Sequence, residues 1–190
     1  MAVPGERKLQ ILQTLAEMLQ MPAAEKITTA ALAARLQVSE AALYRHFASK
    51  AQMYDGLIEF IEQSVFGMIN KITSSHESGI AQTEAIVSVL LAFAEKNPGM
   101  TRVLIGDALV NENDRLQARI NQVHDRIEAT LRQSLRIAAA QGEIGADANI
   151  AANLLLCQVA GRWQLYAKSG FKRLPAADFA QYWTVLAHGL

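Results

Sequence analysis

The stretch ITTAALAARLQVSEAALYRHFASK, residues 27–50, predicts two short helices joined by a tight turn. Either Thr28 or Thr29 can cap the first helix, because a threonine hydroxyl accepts hydrogen bonds from the unpaired amides of a helix start. Ser39 is placed to cap the second helix, which we expect to end near Phe47. Two short capped helices around a turn are typical of a helix-turn-helix, whose second helix enters the major groove of DNA.

The turn between these helices departs from the usual pattern at one position. Gln37 stands where glycine commonly relieves a left-handed backbone, and the resulting strain is roughly 1 kcal/mol. Leu32 and Leu36 are four residues apart, so the first helix has an apolar face. Leu43 and Phe47 have the same spacing in the second helix. The apolar spacing therefore predicts a packed helix pair despite the strained turn.

Polar side chains crowd the end of the second helix, where Tyr44, Arg45 and Lys50 supply donors that suit phosphate oxygens. The segment LYRHFASK, residues 43–50, resembles the signature of TetR-family regulators. In that family the tyrosine, histidine and lysine of this segment touch the DNA backbone, so the resemblance implies DNA binding. The DNA-contacting residues that we predict are Thr28, Thr29, Ser39, Glu40, Ala41, Tyr44, Arg45, His46 and Lys50.

The charge of the chain limits how strongly one subunit can hold DNA. The 190 residues have a net charge of zero. Residues 1–50 contain six Lys or Arg and four Asp or Glu, a net charge of +2, and the remainder has −2. A head this weakly basic makes few phosphate contacts, so we expect a dimer or larger assembly on DNA.

Helical periodicity runs through the rest of the chain, and no segment shows the alternation of a strand. We therefore predict an all-α, TetR-like protein with about nine helices. Residues 1–49 form a three-helix head that contains the helix-turn-helix. Residues 50–190 form a helical body for dimerisation and partner binding.

Four segments allow predictions about which residues are buried or where a helix ends. The first helix has an apolar face formed by Leu9, Leu12, Leu15, Ala16 and Leu19. The helix that starts at Lys50 has an apolar spine of Met53, Leu57, Phe60, Ile61, Met68 and Ile72. Asn97-Pro98-Gly99 ends one helix and starts a short helix that reaches about Val110. A charged helix over residues 112–140 has one stripe of Leu116, Ile120, Val123, Ile127, Leu131, Leu135 and Ala138.

The penultimate helix, over residues 147–168, has two interpretations. Leu154, Ala160 and Gly161 suit either a buried core helix or a subunit interface in which small residues let helices approach closely. We favour the interface, built from the last two helices of each chain, because DNA half-sites one helical turn apart require a two-fold dimer. Cys157 is expected to pack as a small hydrophobe.

The sequence indicates no enzyme, metal or cofactor. His124 and Glu128 share a helix face at four-residue spacing, but two ligands without a second pair are more often an exposed polar contact. Ser39 and Ser49 are better explained as helix caps than as nucleophiles. The chain has no apolar run of bilayer length and no signal-peptide core at its start, so we expect a cytoplasmic protein.

The body resembles a narrower group than the head does. MYDGLIEFIEQS, residues 53–64, and residues 94–136 resemble the nucleoid occlusion factors, which are TetR-type proteins. The resemblance implies a nucleoid-associated dimer, one or several per palindromic site, that binds the C-terminal tail of FtsZ and antagonises Z-ring assembly. It places the tail in a groove between the long helix after the head and the helix that ends at residue 97. The implied tail-binding residues are Phe60, Val89, Ala92, Lys96 and Asn97, whereas Met68 stands where that group has a basic residue.

Two alternatives remain open at this point. A ligand-responsive TetR-type repressor needs a cavity with convergent polar groups, and the apolar faces over residues 50–96 offer few. An architectural helical protein would use the head for protein contacts, and a gel shift with genomic fragments separates it from a DNA binder.

Overall fold

The computed structural model describes residues 4–21, 27–110 and 112–190, which form nine α-helices and a 3₁₀ helix. The α-helices are α1 Pro4–Leu19, α2 Thr29–Arg35, α3 Glu40–Tyr44, α4 Lys50–Ser75, α5 Gly79–Lys96, α6 Pro98–Leu104, α7 Asp114–Ala140, α8 Ala148–Lys168 and α9 Phe179–Ala187. The 3₁₀ helix is Asp107–Leu109. The predicted all-α class and the approximate helix number are confirmed for these residues.

The chain divides into two compact units. The first unit comprises Met1–Ile61 and Asn97–Ile120, and the second comprises Glu62–Lys96 and Asn121–Leu190. The helix-turn-helix therefore shares its unit with α6 and the start of α7. The division of the chain after residue 49 into head and body stays a prediction.

Both helices of the helix-turn-helix begin at a side-chain cap. Thr28, rather than Thr29, is the N-cap of α2 and accepts a hydrogen bond from the amide of Ala31 at 3.1 Å. Ser39 accepts from the amide of Ala42 at 3.2 Å and caps α3. Each hydroxyl satisfies an amide that the helix itself leaves unpaired.

The turn is strained at the predicted position, since Gln37 has a φ of 55°. α3 ends at Tyr44, so the predicted helix end near Phe47 was wrong. The amide of His46 donates to the carbonyl of Leu43 at 2.9 Å, and this three-residue step tightens the backbone into a turn.

The core of the first unit contains α1, α2 and α3. Its buried apolar residues include Ile11, Leu15, Ala16, Leu19, Leu32, Ala33, Leu36, Leu43 and Phe47. Leu9 is 44% exposed, so its assignment to the buried face of α1 was wrong. The buried residues follow four-residue steps from Ile11, and Leu9 lies roughly 160° from Ile11 around the helix.

α6 packs closely on α1 and is shorter than predicted. A β-carbon on Gly99 would lie 1.9 Å from the carbonyl oxygen of Ala16, so the two backbones approach as only glycine allows. α6 follows Asn97 as predicted, but it ends at Leu104 rather than near Val110. Gly106, with a φ of 79°, turns the backbone out of the helix.

α4 buries only half of the predicted spine, namely Met53, Leu57 and Ile61. The buried residues are Met53, Tyr54, Leu57, Ile58, Ile61, Val65 and Ile69. Phe60 is 38% exposed, and Met68 and Ile72 are only half-buried. The buried seam advances in four-residue steps, and Phe60 lies about 100° from Ile61 around the helix.

The second unit is held together by apolar packing and by buried polar contacts between α5 and α8. Trp163 is fully buried, and its indole nitrogen donates to the carbonyl of Leu90 at 3.2 Å. The hydroxyl of Tyr166 donates to the carbonyl of Glu95 at 3.1 Å.

The seven predicted stripe residues of α7 are all fully buried, which confirms that stripe.

Candidate nucleic-acid interface and partner-binding surfaces

The nine predicted DNA-contacting residues all lie in the first unit. Six of them are exposed, namely Thr28, Ser39, Glu40, Ala41, Tyr44 and Arg45. Thr29, His46 and Lys50 are half-buried. Since apolar side chains such as Leu43 form the opposite side of α3, the exposed residues leave one face of the helix-turn-helix open to a partner.

A chain of hydrogen bonds links α2 to α3 on this face. The hydroxyl of Tyr44 donates to the hydroxyl oxygen of Thr29 at 3.4 Å. The hydroxyl of Thr29 donates in turn to a carboxylate oxygen of Glu40 at 2.6 Å. Each hydroxyl has one proton to donate, so both protons point toward the carboxylate.

Lys50 has a partner that the sequence did not indicate. Its ammonium donates to the carboxylate of Glu112 at 2.5 Å, and the two side chains are only 22% and 15% exposed. The ammonium also lies 5.6 Å from the centre of the Tyr54 ring. A phosphate oxygen would therefore compete with Glu112 for this cation. The two residues are 62 positions apart, and no local pattern relates them.

The buried ring of Tyr54 lies next to this ion pair. The residue is 2% exposed. Burial, and then the negative charge of Glu112, raises the pKa of the Tyr54 hydroxyl above its ordinary value. The ring therefore stays a neutral phenol whose face attracts the ammonium of Lys50.

Further contacts hold the first two turns of α4. Ser49 accepts a hydrogen bond from the amide of Gln52 at 3.2 Å, which confirms the predicted cap. Asp55 pairs with Arg115, and the guanidinium of Arg119 donates to the carbonyl of Asp55 at 3.0 Å. The segment around the start of α7 thus holds α4 by side-chain contacts at Lys50 and Asp55.

Three of the five implied tail-binding residues lie along one side of α5. Val89 and Ala92 are half-buried, and Lys96 is exposed at the last turn. Their spacing of three and four residues puts them on one face of the helix. Phe60 belongs to α4 and is exposed rather than part of the core. The backbone carbonyl of Asn97 accepts a hydrogen bond from the hydroxyl of Thr101.

α8 has two apolar faces: one packs in the core and the other is exposed, so the subunit-interface interpretation stays a prediction. One face is buried and includes Ala152, Leu155, Val159 and Trp163. The other face is an exposed stripe of Ile150, Leu154, Cys157, Gly161 and Leu165, and Ile150 and Leu154 are 64% and 63% exposed. Cys157 was expected in the core, but it shares the exposed face because it lies three residues from Leu154 and four from Gly161. Ala160 is half-buried at the edge of the stripe.

α9 is tied to α8 by the side chain of Arg162. Its guanidinium lies 4.4 Å from the centre of the Tyr182 ring and donates to the carbonyl of Ala177 at 2.8 Å. Val185 on α9 is 75% exposed. The last two helices are therefore held together by Arg162, and both carry exposed apolar residues.

His124 and Glu128 do not form part of a larger ligand cluster in the described residues. The ring of His124 packs beside that of Trp163, with 5.9 Å between the ring centres. Within the described ranges, no group of three or more His, Cys, Asp or Glu side chains is arranged to hold a metal ion. None of the described helices is long and apolar enough to cross a bilayer.

Solved structures of TetR-type regulators have the same fold. The regulator PfmR from Thermus thermophilus matches with a TM-score of 0.80 and 20% identity, over 95% of this chain and 98% of that one. The regulator FadR from Bacillus subtilis, solved in complex with stearoyl-CoA, matches with a TM-score of 0.77 and 16% identity. The match covers 96% of this chain and 98% of that one. These identities support the fold alone.

Sequence comparison defines the family more closely. Residues 11–57 match the family model "Bacterial regulatory proteins, tetR family", and residues 77–190 match the SlmA-like model "Tetracyclin repressor-like, C-terminal domain". The nucleoid occlusion factor SlmA of Vibrio cholerae is 50% identical over 95% of this chain and 94% of its own. The nucleoid occlusion factor SlmA of Marinomonas sp. is 49% identical over 98% of this chain and 95% of its own. This chain therefore belongs to the SlmA family of nucleoid occlusion factors, within the TetR-type DNA-binding regulators.

Proposed function

We propose that this protein is a nucleoid occlusion factor that binds palindromic DNA as a homodimer. In the cytoplasm, on the nucleoid, the DNA-bound dimer captures the C-terminal tail of FtsZ and antagonises Z-ring assembly over the chromosome. One observation carries the proposal: the similarity to SlmA proteins covers nearly the whole chain, at 50% identity to the Vibrio cholerae protein. A shared head alone would support only a TetR-type regulator.

DNA binding is assigned to the exposed face of the helix-turn-helix. Arg45 and Tyr44 are exposed there and carry donors for phosphate oxygens. The weak positive charge of residues 1–50 limits each subunit to few phosphate contacts, so two subunits act together.

The ion pair between Lys50 and Glu112 leads to a prediction about DNA affinity. Glu112→Gln should raise affinity for both specific and random duplex by about tenfold, because phosphate no longer competes with a carboxylate for Lys50. Lys50→Ala should lower both affinities, and the slope of log affinity against log salt should fall by about one per subunit. Fluorescence anisotropy at several salt concentrations measures both quantities.

Asp125→Asn is the matched control, because it removes one negative charge from an exposed position of α7. It should change DNA affinity much less than Glu112→Gln does. If Lys50→Ala weakened only the specific site, Lys50 would read bases, and its assignment as a phosphate contact would be wrong.

Capture of the FtsZ tail is assigned to the side of α5 that contains Val89, Ala92 and Lys96. The half-buried Val89 and Ala92 provide apolar contact area, and the exposed ammonium of Lys96 provides a charge that fixes direction. The family resemblance adds Phe60 and Asn97 to this set. A short flexible peptide loses ordering entropy when it binds, so we expect micromolar affinity.

Lys96→Glu should abolish tail binding, because it reverses the exposed charge at the end of this surface. Folding and DNA affinity should stay unchanged, since Lys96 lies outside the helix-turn-helix. The measurement is the anisotropy of a labelled FtsZ tail peptide titrated with the DNA-bound dimer. Lys172→Glu makes the same charge reversal at another exposed lysine and should leave peptide binding intact.

The wild-type protein decides between this function and the alternative. If the dimer, saturated with its DNA, binds no tail peptide at hundreds of micromolar, the nucleoid occlusion proposal fails. The ligand-responsive repressor then takes its place, and a metabolite that lowers DNA affinity tenfold would identify it.

A further inference from the structure

Glu40 is an unexpected residue for a surface that faces a polyanion. It is the first residue of α3, it is exposed, and it lies among the predicted DNA-contacting residues. Thr29 donates to one oxygen of its carboxylate at 2.6 Å, and Tyr44 donates to Thr29 at 3.4 Å. The side chain is therefore held in place by Thr29 of the neighbouring helix, whose hydroxyl in turn accepts from Tyr44.

A carboxylate at this position cannot serve as a phosphate contact. An ionised carboxylate only accepts hydrogen bonds, and phosphate oxygens are negatively charged acceptors too. The first residues of a recognition helix face base edges in the major groove. The remaining partners for Glu40 are therefore the amino groups of bases.

The chemistry of the major groove selects one of these amino groups. Guanine and thymine present acceptors there, which repel a carboxylate. Adenine presents its N6 amino group beside the acceptor N7, whereas cytosine presents its N4 amino group without a neighbouring acceptor. The second oxygen of Glu40 can accept from cytosine N4 while the first stays bonded to Thr29.

We infer that Glu40 is a specificity-determining residue that reads one cytosine in each DNA half-site, with Thr29 as its positioning residue. The inference rests on the proposed DNA-binding face and goes beyond it by assigning a base type to one side chain. An acidic residue in the first turn of a helix also interacts favourably with the helix dipole, but that role gives no preference for any base.

Exchange of the carboxylate for an amide provides the test. Wild type and Glu40→Gln each select duplexes from a randomised pool, and affinities are then measured for the four bases at every selected position. Glu40→Gln should change one position per half-site from cytosine to adenine, because glutamine bonds adenine N6 and N7 together, with a change of about tenfold in relative affinity. Glu40→Ala should lose the preference at that position without gaining another.

Three controls separate this role from a general electrostatic or structural one. Loss of a negative charge raises affinity for every duplex alike, so the readout is relative base preference. Glu17→Gln removes an equal charge from α1 and should leave the selected sequence unchanged. Thr29→Val should weaken the cytosine preference, and Thr29→Ser, which retains the hydroxyl, should restore it.

The outcomes distinguish this inference from the proposed function. If wild type enriches no sequence and binds no duplex, the DNA-binding proposal itself fails. If wild type selects a site and Glu40→Gln selects the same site, or changes all affinities equally, Glu40 reads no base and the inference is wrong. A change from cytosine to adenine at one position per half-site supports it.

Discussion

Leu154→Arg is expected to convert the protein to a monomer and to lower its affinity for a palindromic DNA site by about a hundredfold. Leu154 is 63% exposed and belongs to the apolar stripe on α8, where it lies between Ile150 and Cys157. An exposed contiguous apolar surface of this kind marks an interaction site. An arginine there would have to lose its hydration inside the interface, so the dimer should dissociate.

Sedimentation velocity gives the mass, and a gel shift with the palindromic duplex gives the affinity. Leu9→Arg changes a leucine on α1 that is 44% exposed, and it should leave the mass of the dimer unchanged. Gly161→Leu is a second test, because a β-carbon at Gly161 meets no atom of the chain within 4 Å. The isolated subunit therefore has room for the larger side chain, and any shift toward monomer reports the interface. If the Leu154→Arg protein were still a dimer, the exposed stripe of α8 would not be the subunit interface.

Gly99→Ala is expected to destabilise the first unit by about 3 kcal/mol, which lowers its melting temperature by about 10 °C. The added β-carbon would lie 1.9 Å from the carbonyl oxygen of Ala16 and 3.2 Å from the β-carbon of Leu19. Both neighbours belong to the packed face of α1, and a backbone atom cannot rotate out of the way. α1 and α6 would therefore have to separate, and the packing between them would be lost.

Thermal unfolding followed by circular dichroism measures this effect. Gly67→Ala on α4 is the matched control, because a β-carbon there meets nothing within 4 Å. It should stabilise the protein by up to about 1 kcal/mol, since alanine has the higher helix propensity. The same substitution should thus change stability in opposite directions at the two glycines. An unchanged melting temperature for Gly99→Ala would contradict the close approach of α1 and α6.

The sequence by itself determined the features that depend on residues three or four apart. The caps at Ser39 and Ser49 each join a hydroxyl to an amide within one helical turn. The cap of α2 was narrowed to Thr28 or Thr29 by the same rule, and the structure shows that it is Thr28. The left-handed turn at Gln37 is equally local. The stripe of α7 was correct at all seven positions, because this helix is strongly amphipathic and its polar residues exclude every other face.

The tertiary structure decided which apolar face of a helix is buried when a helix has more than one. Leu9 and Phe60 fit an apolar stripe by their residue type but lie off the buried seam. Cys157 lies in an apolar run, yet it is exposed because the other side of α8 packs into the core. Hydrophobic burial is non-directional, so periodicity cannot choose between two apolar faces of one helix.

The tertiary structure also decided the contacts between residues distant in the chain. Lys50 meets Glu112 across 62 residues, and Gly99 meets the backbone of Ala16. Neither pair leaves a local signal, because a surface lysine and a glycine after proline have ordinary local explanations. Such contacts depend on the packing of whole helices, which determines that Lys50 faces a carboxylate instead of solvent.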